Sequence, residues 1–504
     1  MLPSRCFKRC RMNPKRGATR IIAAMKRATF LSAFLLLVAS AASAQPLFTD
    51  SLPKEEFAAR RAKLMEQIGD GIAVIQGTTE TGNSLKFRQN NQFYYLTGVE
   101  VPRAILTIDG RTKRSTLYID PAGYRVRALG PSLTVAADSA KVTGLDAVVP
   151  REAFTADVEA LGKDNRKLYV AAGSDVVGGG SRGEANGLEN ATKRDVWDGR
   201  PTRYEAFLTQ LKRVTGRADL TVENLDPIVD RLRVVKSARE IAVIREATRI
   251  AGLGIMEAMR EAEPGMYEYE LQAVAEYVFK KHGSQGPAYF SLVATGPNMV
   301  YSHYHKGTRK LAAGDLVQFD YAPDYQYYVS DVTRVFPASG TFTPKQREFY
   351  AIYLAMYRAL ISEIRPGVPV RDLLQAAGKK MDEAVAATKF TSEPIRRAAQ
   401  AFADRYKASQ TSSFGHAIGL EVHDVGAGRP PQGTPVVLVP GQLFTIEPAL
   451  QVPEEGLAMR LEDALLVTAT GVENLSAFVP LDIPAIEKLM REPGITALIK
   501  RRSN

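Results

Sequence analysis

Four carboxylates in the C-terminal half of the chain stand where ordinary folding would not place them. Asp320 and Asp331 lie in "FDYAPDYQYYVSDVTR" (residues 319–334), a run of tyrosines and valines that reads as paired strands. Asp is depleted from strands, and a buried carboxylate needs a charged partner or a metal. With a two-residue turn at Tyr325-Gln326, antiparallel pairing would set the two aspartates opposite each other on one face. The same reasoning applies to "TIEPALQVPEEGLAMRLED", where the turn signal Pro453-Glu454-Glu455-Gly456 is centred midway between Glu447 and Glu462. Two hairpins that each present an opposed acidic pair would repel themselves apart without a cation.

Between the two hairpins lies "SSFGHAIGLEVHDVG", which carries His416 and His423. The chain has only five histidines, the others being His282, His303 and His305. Four carboxylates and a histidine form a hard, oxygen-rich donor set suited to two divalent ions, Mn²⁺ first, with Co²⁺ or Zn²⁺ as alternatives. Carboxylates that bridge two ions make a template for hydrolysis. Each piece also has an ordinary reading. An acidic pair in a hairpin can be a solvated edge device, His282 reads as a helix-terminal charge, and His305 as a surface neighbour of His303. The joint occurrence of these groups carries the argument.

The elements that must position them fall into two blocks. From about residue 55 to 220, "GIAVIQG", "AILTIDG", "STLYIDP" and "KLYVAAG" read as strands, and "REAFTADVEALGKD" and "RYEAFLTQLKRV" as helices, which predicts an α/β domain over 45–224. "GSDVVGGGSRGEANGLENATKRD" is Gly-rich, polar and unperiodic, and reads as a loop. A second domain is expected over 225–485, followed by a tail at 486–504. It opens on "SARE", Ser237 to Glu240, a capping box before an apolar-periodic helix, and a second helix ends in Lys280, Lys281, His282 and Gly283. Helix and strand blocks then alternate twice, with no short-period repeat.

Composition narrows the function. The formal charge is +11, but residues 1–44 hold nine Lys or Arg and no Asp or Glu, which leaves +2 for the rest. A nucleic-acid partner therefore loses its support. "MKRATFLSAFLLLVASAASAQ" has a basic start, a short apolar run and the small-residue pattern Ala42-Ser43-Ala44, which describes a secretory signal peptide within a 1–44 leader, with Met25 as the expected true start. An exported, periplasmic or extracellular protein is the expectation. No segment approaches the ~18 apolar residues of a membrane span. Both cysteines, Cys6 and Cys10, lie in the leader, so thiolate chemistry and disulfides are excluded from the mature chain.

The motifs "GPNMVYSHYH", "GDLVQFDYAPDYQYYVSDVTRVFP", "GHAIGLEVHDVG", "GQLFTIEPAL" and "AMRLED" resemble, in order and spacing, those of the pita-bread metallopeptidases, in the aminopeptidase P and prolidase branch. The region around "NQFYYLTGVEVPRAILTIDG" looks like the creatinase-type domain that precedes their catalytic domain. The resemblance implies an α/β N-terminal creatinase-type domain followed by an α+β pita-bread catalytic domain. It implies Asp320, Asp331, His416, Glu447 and Glu462 as ligands of two divalent ions, His303 and His423 as imidazoles that meet substrate, and Arg460 as support for the metal shell. Glu447 is also the candidate for proton transfer. The implied activity is hydrolysis of Xaa-Pro bonds in proline-containing peptides by a hydroxide held between the ions. The alternatives are a prolidase, which cleaves only Xaa-Pro dipeptides, and a metal-free peptide-binding module. A creatinase-like amidinohydrolase would lack the acidic cage. The resemblance also admits a homo-oligomer. The chain departs from the family pattern at Ala322 and at Ala449, where Gly is usual, and neither change removes a ligand.

Overall fold

The computed structural model describes residues 47–79, 86–120, 137–176, 179–411, 413–426 and 434–497. The expected leader therefore lies outside the described residues. The first block is one mixed sheet of six strands: β1 (Ile72–Gln76), β2 (Ile105–Asp109), β3 (Arg114–Ile119), β4 (Ala147–Pro150), β5 (Leu168–Val170) and β6 (Glu223–Asn224). Their order across the sheet is β4-β3-β2-β1-β5-β6. Alternate residues of β1 feed opposite faces, as a period of two requires. Ala73 and Ile75 join Phe57 and Leu64 on one side, whereas Ile72 and Val74 join Val158, Phe207 and Leu211 on the other.

One sequence expectation fails here. The Gly-rich interval read as a loop contains a helix, Arg182–Arg194, with Ser181 at its N-cap, Glu184 in its first turn and Lys193 and Arg194 in its last. Its end charges suit the helix dipole. No residue of it is buried, so no hydrophobic periodicity existed for the sequence to display.

The second block begins with two packed helices, Ala238–Glu261 and Glu268–Lys281. The first has the expected capping box between Ser237 and Glu240, and His282 caps the end of the second. Strands β7 (Gly286–Pro287), β8 (Leu292–Thr295), β9 (Leu316–Asp320), β10 (Pro323–Tyr325), β11 (Tyr328–Val329) and β12 (Thr333–Pro337) follow. Helices Pro344–Glu363, Val370–Ala387 and Glu393–Lys407 lead into β13 (Leu443–Ile446), β14 (Ala449–Val452), β15 (Leu457–Arg460), β16 (Asp463–Val467) and β17 (Val472–Asn474). Helices followed by antiparallel strands thus occur twice, and the two sets of strands meet at one antiparallel bridge, Thr333 with Glu462.

A buried guanidinium fastens that junction. Arg334 donates to the carbonyl of Glu462 at 2.7 Å, to Asp463 Oδ1 at 2.7 Å and to the carbonyl of Ser476 at 3.1 Å. Asp463 also accepts from Ser476 Oγ at 2.6 Å and from Tyr357 at 2.9 Å. Arg334 and Asp463 are both fully buried. Such a pair offsets its desolvation cost only when further hydrogen bonds support it, and this one draws them from both halves of the domain, although Arg334 Nε has no partner among the described residues. Burial leaves the Asp463 carboxyl exposed to a desolvation penalty, but the Arg334 charge outweighs it and holds the group below the usual carboxylate range.

Candidate metal centre

The two acidic hairpins converge at the Thr333–Glu462 bridge, and their registers differ from each other in an instructive way. In the second hairpin β14 pairs β15 with Ala449 opposite Arg460, and β13 pairs β16 with Ile446 opposite Asp463. Glu447 and Glu462 fall directly opposite each other between the two ladders, as the sequence predicts. The first hairpin is shifted. Its pairs are Asp320 with Thr333 and Tyr325 with Tyr328, so the turn is Gln326-Tyr327 rather than Tyr325-Gln326. Asp331 is therefore diagonal to Asp320 and not directly opposed. The slip is by two residues, so both aspartates still share a face.

A cavity of about 270 Å³ collects the groups. His303, Asp320, Asp331, His416, His423, Glu447 and Arg460 all line it. Glu462 is buried behind them. His416 Nε2 lies 3.2 Å from Glu447 Oε1, 3.6 Å from Asp331 Oδ2 and 3.7 Å from Glu462 Oε1. Donor atoms of Asp331, His416 and Glu462 lie within 4.8 Å of one another, a spacing at which one ion can touch all three. Arg460 Nη2 pairs with Asp320 Oδ2, and its Nη1 is 3.5 Å from Glu447 Oε2. His305, in contrast, is not among the residues that line the cavity, and it packs on Phe290, which does, with ring centres 4.6 Å apart.

The electrostatics are those of a cage short of positive charge. Burial raises the Asp331 carboxyl well above its ordinary range, and Glu462 and Asp320 push it further. Burial and Glu447 raise Glu462 too. Burial opposes charge on His416, but the neighbouring carboxylates of Glu447, Glu462 and Asp331 prevail, and its pKa is pushed up to about 11. Burial likewise works against ionised Glu447, yet His416 and Arg460 hold it below the usual value. Protons thus do part of the work that cations would do. The donor set fits divalent ions on independent grounds. Glu462 Oε1 is a buried acceptor with no hydrogen-bond partner, and such an orphan atom is costly unless something coordinates it.

Two residues of the cage escaped sequence reasoning. The Tyr289 hydroxyl lies 2.6 Å from Asp320 Oδ1 and 2.6 Å from Asp331 Oδ1. One hydroxyl hydrogen serves only one of the two carboxylates at a time, so Tyr289 links the pair without satisfying both. Thr333 Oγ1 donates to Glu462 Oε2 at 2.8 Å. Thr333 sits inside a quoted motif and could have been found there, whereas Tyr289 in "GPAYFSLV" carries no local signal. The loop of His416 and His423 is anchored from below. Glu421 accepts from Arg233 at 2.9 Å, and Asp424 accepts from Lys236 at 3.0 Å and also pairs with Arg233. The two imidazoles stack edge to face, 4.2 Å between centres.

Comparison with known proteins places this arrangement. Residues 242–469 match the profile of Metallopeptidase family M24, and residues 57–169 that of the Aminopeptidase P, N-terminal domain. The Xaa-Pro aminopeptidase of Escherichia coli is 30% identical over 458 residues, covering 87% of this chain and 98% of that protein. The structure of aminopeptidase P from E. coli with the inhibitor Pro-Leu superposes with a TM-score of 0.70 at 27% identity, over 90% of this chain and 100% of the other. An Xaa-Pro dipeptidase of Pyrococcus horikoshii is 30% identical over 270 residues, covering 54% of this chain and 70% of its own length. The chain belongs to the metallopeptidase family M24, in its aminopeptidase P branch, with a creatinase-type N-terminal domain and a pita-bread catalytic domain.

Proposed function

We infer that the protein is an Xaa-Pro aminopeptidase that releases the N-terminal residue preceding proline. The observation that carries this reading is the convergence of four ligand-type side chains and two further imidazoles on one cavity, with Glu462 buried directly behind, on a chain that matches an Xaa-Pro aminopeptidase over 87% of its length. Asp320, Asp331, His416, Glu447 and Glu462 would hold two divalent ions, Mn²⁺ by the hardness of the donors. When bound, such ions lower the pKa of water and polarise a carbonyl.

The chain's own groups do the rest. Arg460 Nη1, 3.5 Å from Glu447 Oε2, supports its carboxylate, which can take a proton from the attacking water and pass it toward the leaving proline nitrogen. Burial pushes His423 below the usual imidazole value. It is therefore neutral near pH 7 and donates one N–H to the scissile carbonyl oxygen or the carbonyl on the proline side. His303 lines the same cavity and offers a second imidazole donor. Arg460 holds Asp320 and Glu447 in place from behind. An Xaa-Pro bond lacks an N–H, so proteases that read an extended backbone handle it poorly and a dedicated pocket is needed.

Tripeptides decide between the two enzymatic readings. An aminopeptidase must leave room beyond proline for a continuing chain, and a second cavity adjoins the catalytic one here. Metal-reconstituted protein should cleave Xaa-Pro-Yaa with a kcat/KM at least equal to that for Xaa-Pro. Strict dipeptide cleavage would reassign it as a prolidase. Export rests on the leader sequence, with a mature N-terminus near Gln45. The intact mass of secreted protein tests it, and an uncleaved cytoplasmic product beginning at Met25 would overturn it.

A further inference from the structure

The N-terminal domain contributes one charged side chain to the catalytic cavity among the described residues, and that side chain is Glu184. Its position is built. Gly179 accepts from the amide of Val422 at 2.7 Å and donates to the carbonyl of Ala288 at 3.1 Å, and the Arg182 amide donates to Glu421 Oε2 at 2.8 Å. A Cβ on Gly179 would stand 2.6 Å from Val329 and 2.9 Å from the Ala288 carbonyl, so this close approach needs glycine. Ser181 then starts the helix that places Glu184 in its first turn. The segment is thereby docked on the very loop that carries His416 and His423.

Glu184 is also the wall between two spaces. Together with Gly180 it lines both the catalytic cavity and a larger one of about 650 Å³ on the N-terminal domain. The other acids of the larger cavity are already matched. Asp175 pairs with Arg203, and Glu189 accepts from Ser174 and from the Arg203 amide at 2.6 Å. Among the described residues the Glu184 carboxylate has only His423, at 4.0 Å, and its side chain is 63% exposed. Moving outward from Glu447, the order is His416, His423, Glu184. The α-ammonium nitrogen of a peptide lies only two bonds from the scissile carbonyl carbon, too short a reach to pass His416 and His423 to Glu184. The side-chain cation of a lysine or arginine has the length to reach it.

We propose that Glu184 is a specificity residue that binds the side-chain cation of a Lys or Arg next to the proline of the substrate, so that the enzyme prefers peptides with a basic residue beside proline. The proposal rests on the Xaa-Pro reading of the site. The test compares kcat/KM for Arg-Pro-Ala, Ala-Pro-Arg and Ala-Pro-Ala with the metal-loaded wild type and with Glu184→Gln and Glu184→Lys. Wild type should favour one Arg peptide over Ala-Pro-Ala, and which one tells whether the cation precedes or follows proline. Glu184→Gln should collapse that ratio by about three- to ten-fold, the scale of a partly exposed ion pair. Glu184→Lys should turn the preference toward Glu-Pro-Ala or Ala-Pro-Glu. An unchanged ratio in both variants overturns the proposal, as does an equal loss on all three peptides, which would mark Glu184 as support for His423. Wild type inactive on every Xaa-Pro peptide would instead sink the activity on which the proposal rests.

Discussion

The two acidic hairpins deliver equivalent chemistry by opposite means. In the hairpin of Glu447 and Glu462 the turn is exposed and local. Gly456 takes the left-handed conformation at φ 63°, and a Cβ there would meet nothing within 4 Å. In the hairpin of Asp320 and Asp331 the turn residues are Gln326 and Tyr327, both at positive φ (52° and 72°) without being glycine. Backbone of that kind persists only where its surroundings impose it. Tyr327 is buried, stacks on Tyr94 with ring centres 3.5 Å apart, and donates to Glu100 at 2.6 Å. Arg88 pairs with Asp324 at 2.9 Å and donates to the carbonyls of Tyr327 at 3.1 Å and Leu420 at 3.3 Å. The N-terminal domain therefore sets the tip of one ligand hairpin and reaches the histidine loop through the same guanidinium. A local turn positions one half of the cage, and a second domain positions the other.

At the cage itself the hairpins should be indistinguishable, and this gives the largest effects. Asp331→Asn and Glu462→Gln should each lower bound metal and activity together, by more than about 100-fold, the upper end of what losing a supporting partner costs. Elemental analysis beside the peptide assay checks both, and full activity after thorough chelation would refute the metal assignment. His303→Ala and His423→Ala should separate from these, keeping their ions while kcat falls by about 10² to 10³.

Away from the cage the hairpins should part company. Tyr327→Ala removes a buried ring and should cost about 3–5 kcal/mol in denaturant unfolding. Arg88→Met strands Asp324, which is almost wholly buried, and should cost a similar amount. Both should also weaken metal binding, read by competition with a chelator. A loss of stability with metal affinity unchanged would break the link between clamp and cage.

The metal-free cage should also respond to pH as one unit. Asp331, Glu462 and His416 all have raised values in the folded chain. Folded protein then binds more protons than unfolded protein, so stability of the stripped form is greatest below the ordinary values and falls as pH rises, through about 11 for His416. Ions replace those protons. The stability gained on metal loading should therefore grow between about pH 5 and pH 9, and thermal melts with and without metal check the sign. The smallest effect belongs to the local turn, where Gly456→Ala should cost only about 1 kcal/mol, with metal affinity retained.

The sequence by itself determined the acidic and imidazole side chains of the candidate cage, their order and the register of the second hairpin, because a Pro-to-Gly turn states its own conformation. It also placed both aspartates on one face despite the misplaced turn, since a slip of two residues preserves the alternation of a strand. Tertiary structure alone decided the rest. The turn at Gln326-Tyr327 has no glycine or asparagine to announce it, and its conformation is imposed by Tyr94, Glu100 and Arg88 from more than two hundred positions away in the chain. Helix 182–194 was illegible because it buries nothing, and helical periodicity is visible only where one face does. Tyr289, which joins the two aspartates, and Glu184, which walls the cleft, act through space from segments with no motif of their own. Local sequence encodes backbone preference and spacing, whereas the meeting of groups from distant segments exists only once the chain has folded.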